Sequence, residues 1–175
     1  GTSMTPIGAL QYLESEIKTL EEQGLLRRHQ PAPKGALVLC SNDYLGYALE
    51  PWPENTRSSG AGASRLVSGE HDEHARAEQT IANWLHTETA LLFSSGYAAN
   101  VGTIAALAQP GDVIVSDALN HASIIDGCRL SGATTIVVPH NNTNAVELAL
   151  EHTSNARQRF VITESYFSMD GDVPN

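Results

Sequence analysis

The chain of 175 residues is long enough for one domain with a sizeable core, and its 41% hydrophobic content is that of an ordinary soluble protein. Its formal net charge of −10 argues against a nucleic acid or an anionic membrane surface as a partner, because both would repel it. No apolar run approaches the roughly 20 residues of a membrane-spanning helix, and no signal or transit peptide is recognisable, so we expect a cytoplasmic protein. Cys40 and Cys128 form neither a disulfide framework nor a metal motif, which favours reduced core cysteines.

The sequence of the N-terminal third predicts one helix, one short strand and otherwise irregular structure. From Thr5 and Pro6 onward, leucine and isoleucine recur every three or four residues until Gly24, which predicts an amphipathic helix. The predicted segments are a tag remnant (1–3), a helix-and-strand segment (4–49) with its short strand at Ala36–Cys40, and an irregular loop rich in Pro, Gly and Ser (50–64).

From residue 65 to residue 175, helices and strands alternate with short links. This alternation predicts βαβ units in an α/β fold, with a mostly parallel sheet, flanking helices and ligands at the carboxyl ends of strands. The predicted strands are Ala90–Phe93, Val113–Ser116, Thr134–Val138 and Phe160–Thr163. The predicted helices are Glu73–His86, Tyr97–Leu107, His121–Leu130 and Ala145–Glu151.

The residues from 91 to 100 contain a candidate phosphate site. A short apolar stretch leads into Ser95 and Gly96, and a helix begins at Tyr97. Such a turn directs free backbone N–H groups and the positive end of the helix dipole at one point, which suits a phosphate. Taken alone, a tight strand-to-helix turn without any ligand explains these residues better.

Two further polar residues follow predicted strands and should lie at the same sheet edge. His121 could stack on a flat cofactor ring, although a helix-start histidine bonded to local backbone explains it equally well. Ser168 could donate to a cofactor oxygen, and a solvated turn would also place a serine there. The loop around Ser168 lacks the remaining ligands of an EF-hand, so we discount calcium.

Two other clusters have simpler explanations. His71 and His74 lie three residues apart at a predicted helix start, without the further ligands of a metal site, which favours ordinary helix-start polar residues. Arg27 and Arg28 follow the first helix and could bind a carboxylate, but interaction with the C-terminal helix dipole is the usual case.

Five blocks of the chain, in order, resemble the α-oxoamine synthases, enzymes that use pyridoxal 5'-phosphate (PLP). The resemblance implies PLP-dependent transferase fold type I, which is the aspartate-aminotransferase-like fold, with residues 65–175 as the N-terminal part of its large PLP-binding domain. The blocks are SNDYLG (Ser41–Gly46), GASRLVSG (Gly62–Gly69), LFSSGYAAN (Leu92–Asn100), Ser116-Asp117 with NHASIIDGCR (Asn120–Arg129), and TESYFSMDGD (Thr163–Asp172).

The resemblance also implies a reaction and a set of site residues. The match favours the family member of biotin biosynthesis, which condenses L-alanine with a pimeloyl thioester and releases carbon dioxide, in a homodimer whose active site lies between subunits. A sister enzyme that uses glycine, and a non-catalytic half-fold module, are the alternatives. The implied roles are ring stacking, catalysis and substrate contact for His121, cofactor binding for Ser95, Gly96, Tyr97 and Ser168, and substrate contact for Arg27 and Asn42.

Part of the family pattern is missing from this sequence, since the family's ring-nitrogen aspartate, its accompanying histidine and its Schiff-base lysine would all lie beyond residue 175. The stretches between Arg27 and Asn42 and between Gly46 and Gly62 are also several residues shorter than is usual in the family. The Schiff-base lysine has no counterpart, because the only lysines are Lys18 and Lys34 and neither stands in a matching block. We therefore expect an incomplete chain that covers about the first half of the family's length and is inactive by itself.

Overall fold

The computed structural model describes residues 12–28, 35–37, 41, 44–47 and 62–174. The chain divides into two compact units, residues 1–59 and residues 60–175. In the first unit, helix α1 spans Tyr12–Glu22 and so confirms the body of the predicted helix. The predicted helix start at Thr5 and Pro6, Cys40 with most of the predicted strand around it, and nearly all of the predicted 50–64 loop lie outside the described residues.

The second unit is an α/β arrangement built around three parallel strands. A short π-helix at Arg65–Gly69 precedes the first full helix of this unit. The helices are α2 (Asp72–Leu85), α3 (Gly96–Leu107), α4 (Ala122–Ser131) and α5 (Thr143–His152). The strands are β1 (Val113–Asp117), β2 (Thr134–Val138) and β3 (Arg159–Ile162). Within the described residues, every helix is too short or too polar to cross a membrane.

Strand β1 lies in the middle of the sheet, whose order is β2-β1-β3. Val115 pairs with Ile136 of β2 and with Val161 of β3, and both pairings are parallel. Parallel strands need crossover connections, and here α4 and α5 supply them. The predicted parallel sheet with flanking helices is therefore confirmed.

The core lies on both faces of β1 because successive side chains of a strand point to opposite sides. Ile114, which is fully buried, packs on one face, and Val113 and Val115 pack on the other. The buried residues around Ile114 come from α3 and α4 and the residue after α3: Ile104, Ala108, Ile124 and Cys128. Residues packed against Val113 and Val115 include Ala145, Val146, Ala149 and Leu150 of α5. Cys128 is a free cysteine, as predicted, and burial raises the pKa of its thiol.

Helices α3 and α4 approach each other closely at Gly127. A Cβ atom at this position would lie 3.0 Å from the Ile104 Cδ1 atom and 3.2 Å from the backbone oxygen of Asn100. Because these distances are shorter than ordinary van der Waals contact, a larger residue would force Ile104 or the Asn100 backbone to shift, whereas glycine fits without any shift.

The predicted strand at Ala90–Phe93 is wrong, because residues 89–93 form an irregular segment. The Leu92 backbone N–H donates to the Glu78 Oε1 atom at 2.8 Å, and its carbonyl accepts from the Arg65 Nη1 atom at 3.4 Å. Side chains thus bond the polar groups that a strand would offer to a neighbouring strand. Periodicity reveals an apolar segment but does not reveal which groups satisfy its backbone.

The histidine pair at the start of α2 caps the helix. His71 is the N-cap residue, and its backbone N–H donates to the His74 Nδ1 atom at 3.2 Å. This arrangement confirms the interpretation of both residues as helix-start polar groups.

Candidate functional site at the carboxyl edge of the sheet

The carboxyl ends of the three strands lie at one edge of the sheet, where polar side chains collect. Asp117 ends β1, His140 comes two residues after β2, and Glu164 comes two residues after β3. Loops at this edge of a parallel sheet are the usual place for ligands, because they are free to vary while the strands hold their positions.

His121 connects the loop after β1 to the loop after β3. It is the N-cap residue of α4, and its Nδ1 atom accepts from the Ser123 backbone N–H at 3.1 Å. Because Nδ1 is the acceptor, the proton of the neutral ring is on Nε2. The backbone N–H of His121 donates to the Glu164 carboxylate, which fixes the start of α4 against the segment after β3.

The neighbouring Asn120, which the sequence analysis did not single out, supports this connection. Its side chain is buried, and its amide donates to the Ser116 Oγ atom at 2.9 Å and to the Ile162 backbone oxygen at 2.7 Å. These bonds join the loop before α4 to the ends of β1 and β3. Asn120 thus holds the backbone from which His121 projects.

Ser168 belongs to a compact turn, residues 167–172, which we call the Ser168 loop. Phe167 and Asp172 close the loop as an antiparallel pair, with a bond of 2.9 Å from the Phe167 N–H to the Asp172 carbonyl. The Phe167 side chain is only 2% exposed and anchors the loop, whereas Ser168 is exposed.

His121 and Ser168 line the same cavity, which has a volume of about 110 Å³. The other lining residues are Leu119, Glu164, Phe167, Met169 and Asp170. Two residues that the sequence analysis selected independently are therefore brought together between the loops that follow β1 and β3.

The N-terminus of α3 offers backbone donors. The Ser95 Oγ atom accepts from the Ala98 N–H at 3.1 Å, so its hydroxyl serves as the cap of the helix. Among the described residues, no acceptor pairs with the backbone N–H groups of Gly96 and Tyr97. A Cβ atom on Gly96 would meet nothing within 4 Å, so the space beside Gly96 is open.

Two side-chain bonds connect α3 to α4. The Tyr97 hydroxyl donates to the Asp126 carboxylate, and this bond raises the pKa of Tyr97. The Asn100 amide donates to the Ser123 Oγ atom at 2.9 Å, and the same hydroxyl lies 2.7 Å from the His121 Nδ1 atom. A continuous chain of bonds thus runs from the first turns of α3 to His121.

A partly buried ion-pair network holds the segment that leads into α3. The Arg65 guanidinium pairs with Glu70 and with Glu78, at 2.7 Å in the second case, and Glu78 accepts from the Leu92 N–H. The hydrogen bond from Arg65 and then that from Leu92 lower the pKa of Glu78 to about 2. Glu78 is consequently ionised throughout the physiological range and keeps residues 91–93 in place before Ser95.

A second polar cluster, which the sequence analysis missed, surrounds His140. Its Nδ1 atom lies 2.9 Å from the Asp117 Oδ1 atom, and its Nε2 atom lies 3.0 Å from the Asp172 Oδ2 atom. The Phe167 ring packs against the imidazole edge-to-face at a centroid distance of 4.4 Å. The position of His140 just after β2 was the available signal, because it is the same positional rule that selected His121.

The two predicted substrate-contact residues come from residues 1–59, the first of the two units. Arg27 is exposed and lies in the first unit, and Asn42 lies outside the described residues. Arg28, which neighbours Arg27, pairs with Glu21 of α1 at 2.9 Å. The roles of Arg27 and Asn42 remain predictions.

Comparisons with known proteins bear on the whole chain. An 8-amino-7-oxononanoate synthase from Trichlorobacter lovleyi is 45% identical over 181 residues, which cover 94% of this chain and 46% of that protein. A serine palmitoyltransferase from Sphingomonas wittichii is similar in structure with a TM-score of 0.75 at 28% identity, covering 98% of this chain and 48% of that one. A variant of serine palmitoyltransferase from S. paucimobilis, solved with a bound PLP–myriocin aldimine, gives a TM-score of 0.74 at 25% identity, covering 98% of this chain and 48% of that one.

This chain spans about half the length of the curated relatives that it matches. The solved neighbours confirm the predicted aspartate-aminotransferase-like fold, since they have the fold of PLP-dependent fold type I enzymes. The family model described as aminotransferase class I and II matches residues 34–175. The chain therefore belongs to the class I and II aminotransferase family.

Proposed function

We propose that this chain is the N-terminal part of a PLP-dependent acyltransferase that condenses L-alanine with a pimeloyl thioester to give 8-amino-7-oxononanoate. The identity of 45% to a synthase of that name, over 94% of this chain, supports the choice of reaction. The structural observation that carries the proposal is the cavity shared by His121 and Ser168. In the same proposal the enzyme is a cytoplasmic homodimer.

The residues present fit PLP. The cofactor has a phosphate, a flat ring and ring oxygens, and the described site offers a partner for each. The free N–H groups of Gly96 and Tyr97, at the positive end of α3, suit the phosphate. His121 supplies a flat imidazole for the ring, and Ser168 supplies a hydroxyl donor in the same cavity. When bound, PLP supplies a ring that stabilises negative charge at the α-carbon of an amino acid.

In this proposal, the residues of the chain bind and orient the cofactor and the substrate. Gly96 and Tyr97 bind the phosphate through their backbone, while Ser95 keeps these donors in place by capping α3. His121 lies against the ring and contacts the substrate, with its Nε2–H free for a hydrogen bond. Arg27 and Asn42 contact the substrate carboxylates. Neither Lys18 nor Lys34 is proposed as the covalent attachment point.

The cofactor part of the proposal is tested by titrating the full-length protein with PLP and following its absorbance and the tryptophan fluorescence. We expect saturable binding in which Ser168→Ala weakens the affinity by about 2- to 10-fold, the range expected for one lost hydrogen bond. Ser154→Ala is the matched control, because Ser154 is exposed and lies outside the cavity. Equal affinities for the wild type and for Ser168→Ala would contradict the assignment of Ser168.

The reaction is tested with the full-length protein, PLP, pimeloyl-CoA and one amino acid at a time. Mass spectrometry should detect 8-amino-7-oxononanoate with L-alanine and much less product with glycine or L-serine. A preference for glycine would assign the protein to the sister enzymes. The absence of any condensation product would favour the non-catalytic module.

A further inference from the structure

Two carboxylates contact the His140 ring. Both ring nitrogens lie within hydrogen-bond distance of a carboxylate oxygen: Asp117 at 2.9 Å and Asp172 at 3.0 Å. An ionised carboxylate only accepts hydrogen bonds, and a neutral imidazole has only one N–H to donate. Both carboxylates accept from the ring together only when His140 is an imidazolium. The Asn141 Nδ2 atom also lies 3.2 Å from the His140 Nε2 atom, and it donates to the Asp172 Oδ2 atom at 3.3 Å.

The electrostatic surroundings favour the same state. Among the described residues, the charged groups in contact with His140 are Asp172, on the Ser168 loop, and Asp117, at the end of β1. Their hydrogen bonds, that of Asp172 first, raise the pKa of His140 above its usual value, even though partial burial opposes this. Burial also raises the pKa of Asp117, but bonds from the Leu119 N–H, His140 and the Asn141 N–H outweigh it and lower the pKa overall.

The two carboxylates belong to different parts of the candidate site. Asp117 accepts from the Leu119 N–H at 2.8 Å and from the Asn141 N–H at 3.0 Å, and so joins the loops that follow β1 and β2. Asp172 closes the Ser168 loop through its backbone pairing with Phe167. His140 is bonded to both carboxylates and packs against the Phe167 ring.

We propose that His140, as an imidazolium, is a positioning residue that holds the Ser168 loop against the loops that follow β1 and β2. The loop carries Ser168 and three more residues of the cavity wall, Phe167, Met169 and Asp170, so its placement decides whether Ser168 faces a ligand beside His121. This inference rests on the proposed function for its consequence, which is PLP binding, but the attachment of the loop does not depend on any ligand.

The experiment uses the full-length protein with three substitutions. His140→Asn removes the imidazole that contacts both carboxylates. Asp172→Asn keeps the shape of one of its partners but removes the negative charge. His152→Asn is the control, because His152 is exposed and its ring contacts the Leu148 carbonyl within α5. Amide hydrogen exchange at pH 6 reports the Phe167 and Gly171 N–H groups, which donate within the loop at 2.9 and 2.8 Å. Ring ¹⁵N NMR of His140 reports its protonation, and a PLP titration reports the affinity.

We expect His140→Asn to accelerate exchange at Phe167 and Gly171 by about tenfold or more, while the amides of β1 keep their protection. Asp172→Asn should lower the pH at which His140 loses its proton, because it removes one of the two carboxylates. Both substitutions should weaken PLP binding several-fold, and His152→Asn should change none of these quantities.

Unchanged exchange in the Ser168 loop of His140→Asn would overturn the inference, and so would a His140 ring that is neutral at pH 6 in the wild type. If His140→Asn does not fold, the titration of His140 in Asp172→Asn decides the question, and an unshifted midpoint overturns the inference. A wild-type full-length protein that shows the expected exchange and titration but does not bind PLP would support the attachment of the loop by His140 and refute the proposed function.

Discussion

At each end of strand β1, a carboxylate shielded from water pairs with a basic side chain, and the two basic side chains differ. At the amino end, the Asp112 side chain is fully buried and pairs with Arg157, while its Oδ2 atom also accepts from the Gln109 N–H at 2.9 Å. At the carboxyl end, the Asp117 side chain is 8% exposed and pairs with His140. In both places a carboxylate has been removed from water and needs a positive partner to remain ionised.

The difference lies in the permanence of the positive charge. The Arg157 guanidinium stays protonated at any pH that the protein meets, and its hydrogen bond is the main cause that lowers the pKa of Asp112. His140 can lose its charge near neutral pH. The end of β1 that carries no candidate site thus has a fixed attachment, whereas the end beside the site has an attachment that responds to pH.

The largest loss of stability is expected from a substitution in the buried middle of β1, between the two ends. Ile114→Ala should lower the free energy of unfolding by about 2–5 kcal/mol, because it removes a fully buried side chain and leaves a cavity between β1 and helices α3 and α4. Urea denaturation measures the change. Val137→Ala, at a position that is 65% exposed on β2, is the control and should change the free energy by about 0.5 kcal/mol or less. Equal effects of the two substitutions would contradict the assignment of the core.

The next largest loss of stability is expected from a substitution at the amino end of β1. Arg157→Ala leaves the buried Asp112 carboxylate without its cation, so the melting temperature should fall by several degrees at every pH from 6 to 9. Arg129→Ala is the matched control, because Arg129 pairs with Asp126 at the surface and its side chain is 77% exposed. A loss for Arg157→Ala no larger than that for Arg129→Ala, measured by differential scanning calorimetry, would show that the buried pair does not stabilise the fold.

The smallest effect is a pH dependence confined to the carboxyl end. Since folding raises the pKa of His140, its contribution is complete below its unfolded value of about 6.5 and is lost as the pH rises through the folded value. Since folding lowers the pKa of Asp112, its contribution is present above about 3.9 and is lost only as the pH falls through the folded value.

Between pH 6 and pH 9, the amide of Phe167 should therefore lose protection, after correction for intrinsic exchange rates. The amide of Thr134, which donates to the Asp112 carbonyl at 2.9 Å, should keep its protection over the same range. Parallel changes at Phe167 and Thr134 would remove the proposed difference between the two ends.

The sequence predicted the parts of the fold that local patterns determine. Thr134–Val138 matches β2 as predicted, and the start of β1 at Val113 is also correct, because apolar β-branched runs bounded by turn residues identify buried strands. The segment at 90–93 has the same local pattern, but its backbone is bonded to Glu78 and Arg65, which lie 14 and 27 residues away from Leu92. No local pattern contains that information.

The candidate site shows the same limit. His121 and Ser168 could be selected because each follows a predicted strand and stands in a block that resembles a known family. His140 also follows a strand, but its importance depends on Asp117 and Asp172, which lie 23 and 32 residues away. Only the folded chain brings the two carboxylates to opposite sides of one imidazole.

Gly127 has a consequence beyond the packing of two helices. The helices that it allows to approach, α3 and α4, begin at Gly96 and beside His121, so their separation sets the span between the phosphate donors and the imidazole. A methyl group at residue 127 would push against Ile104 and the Asn100 backbone of α3. It would therefore act on the separation of α3 and α4 from within their interface. The span between these donors and the imidazole thus depends on a residue that lies six positions after His121, within α4.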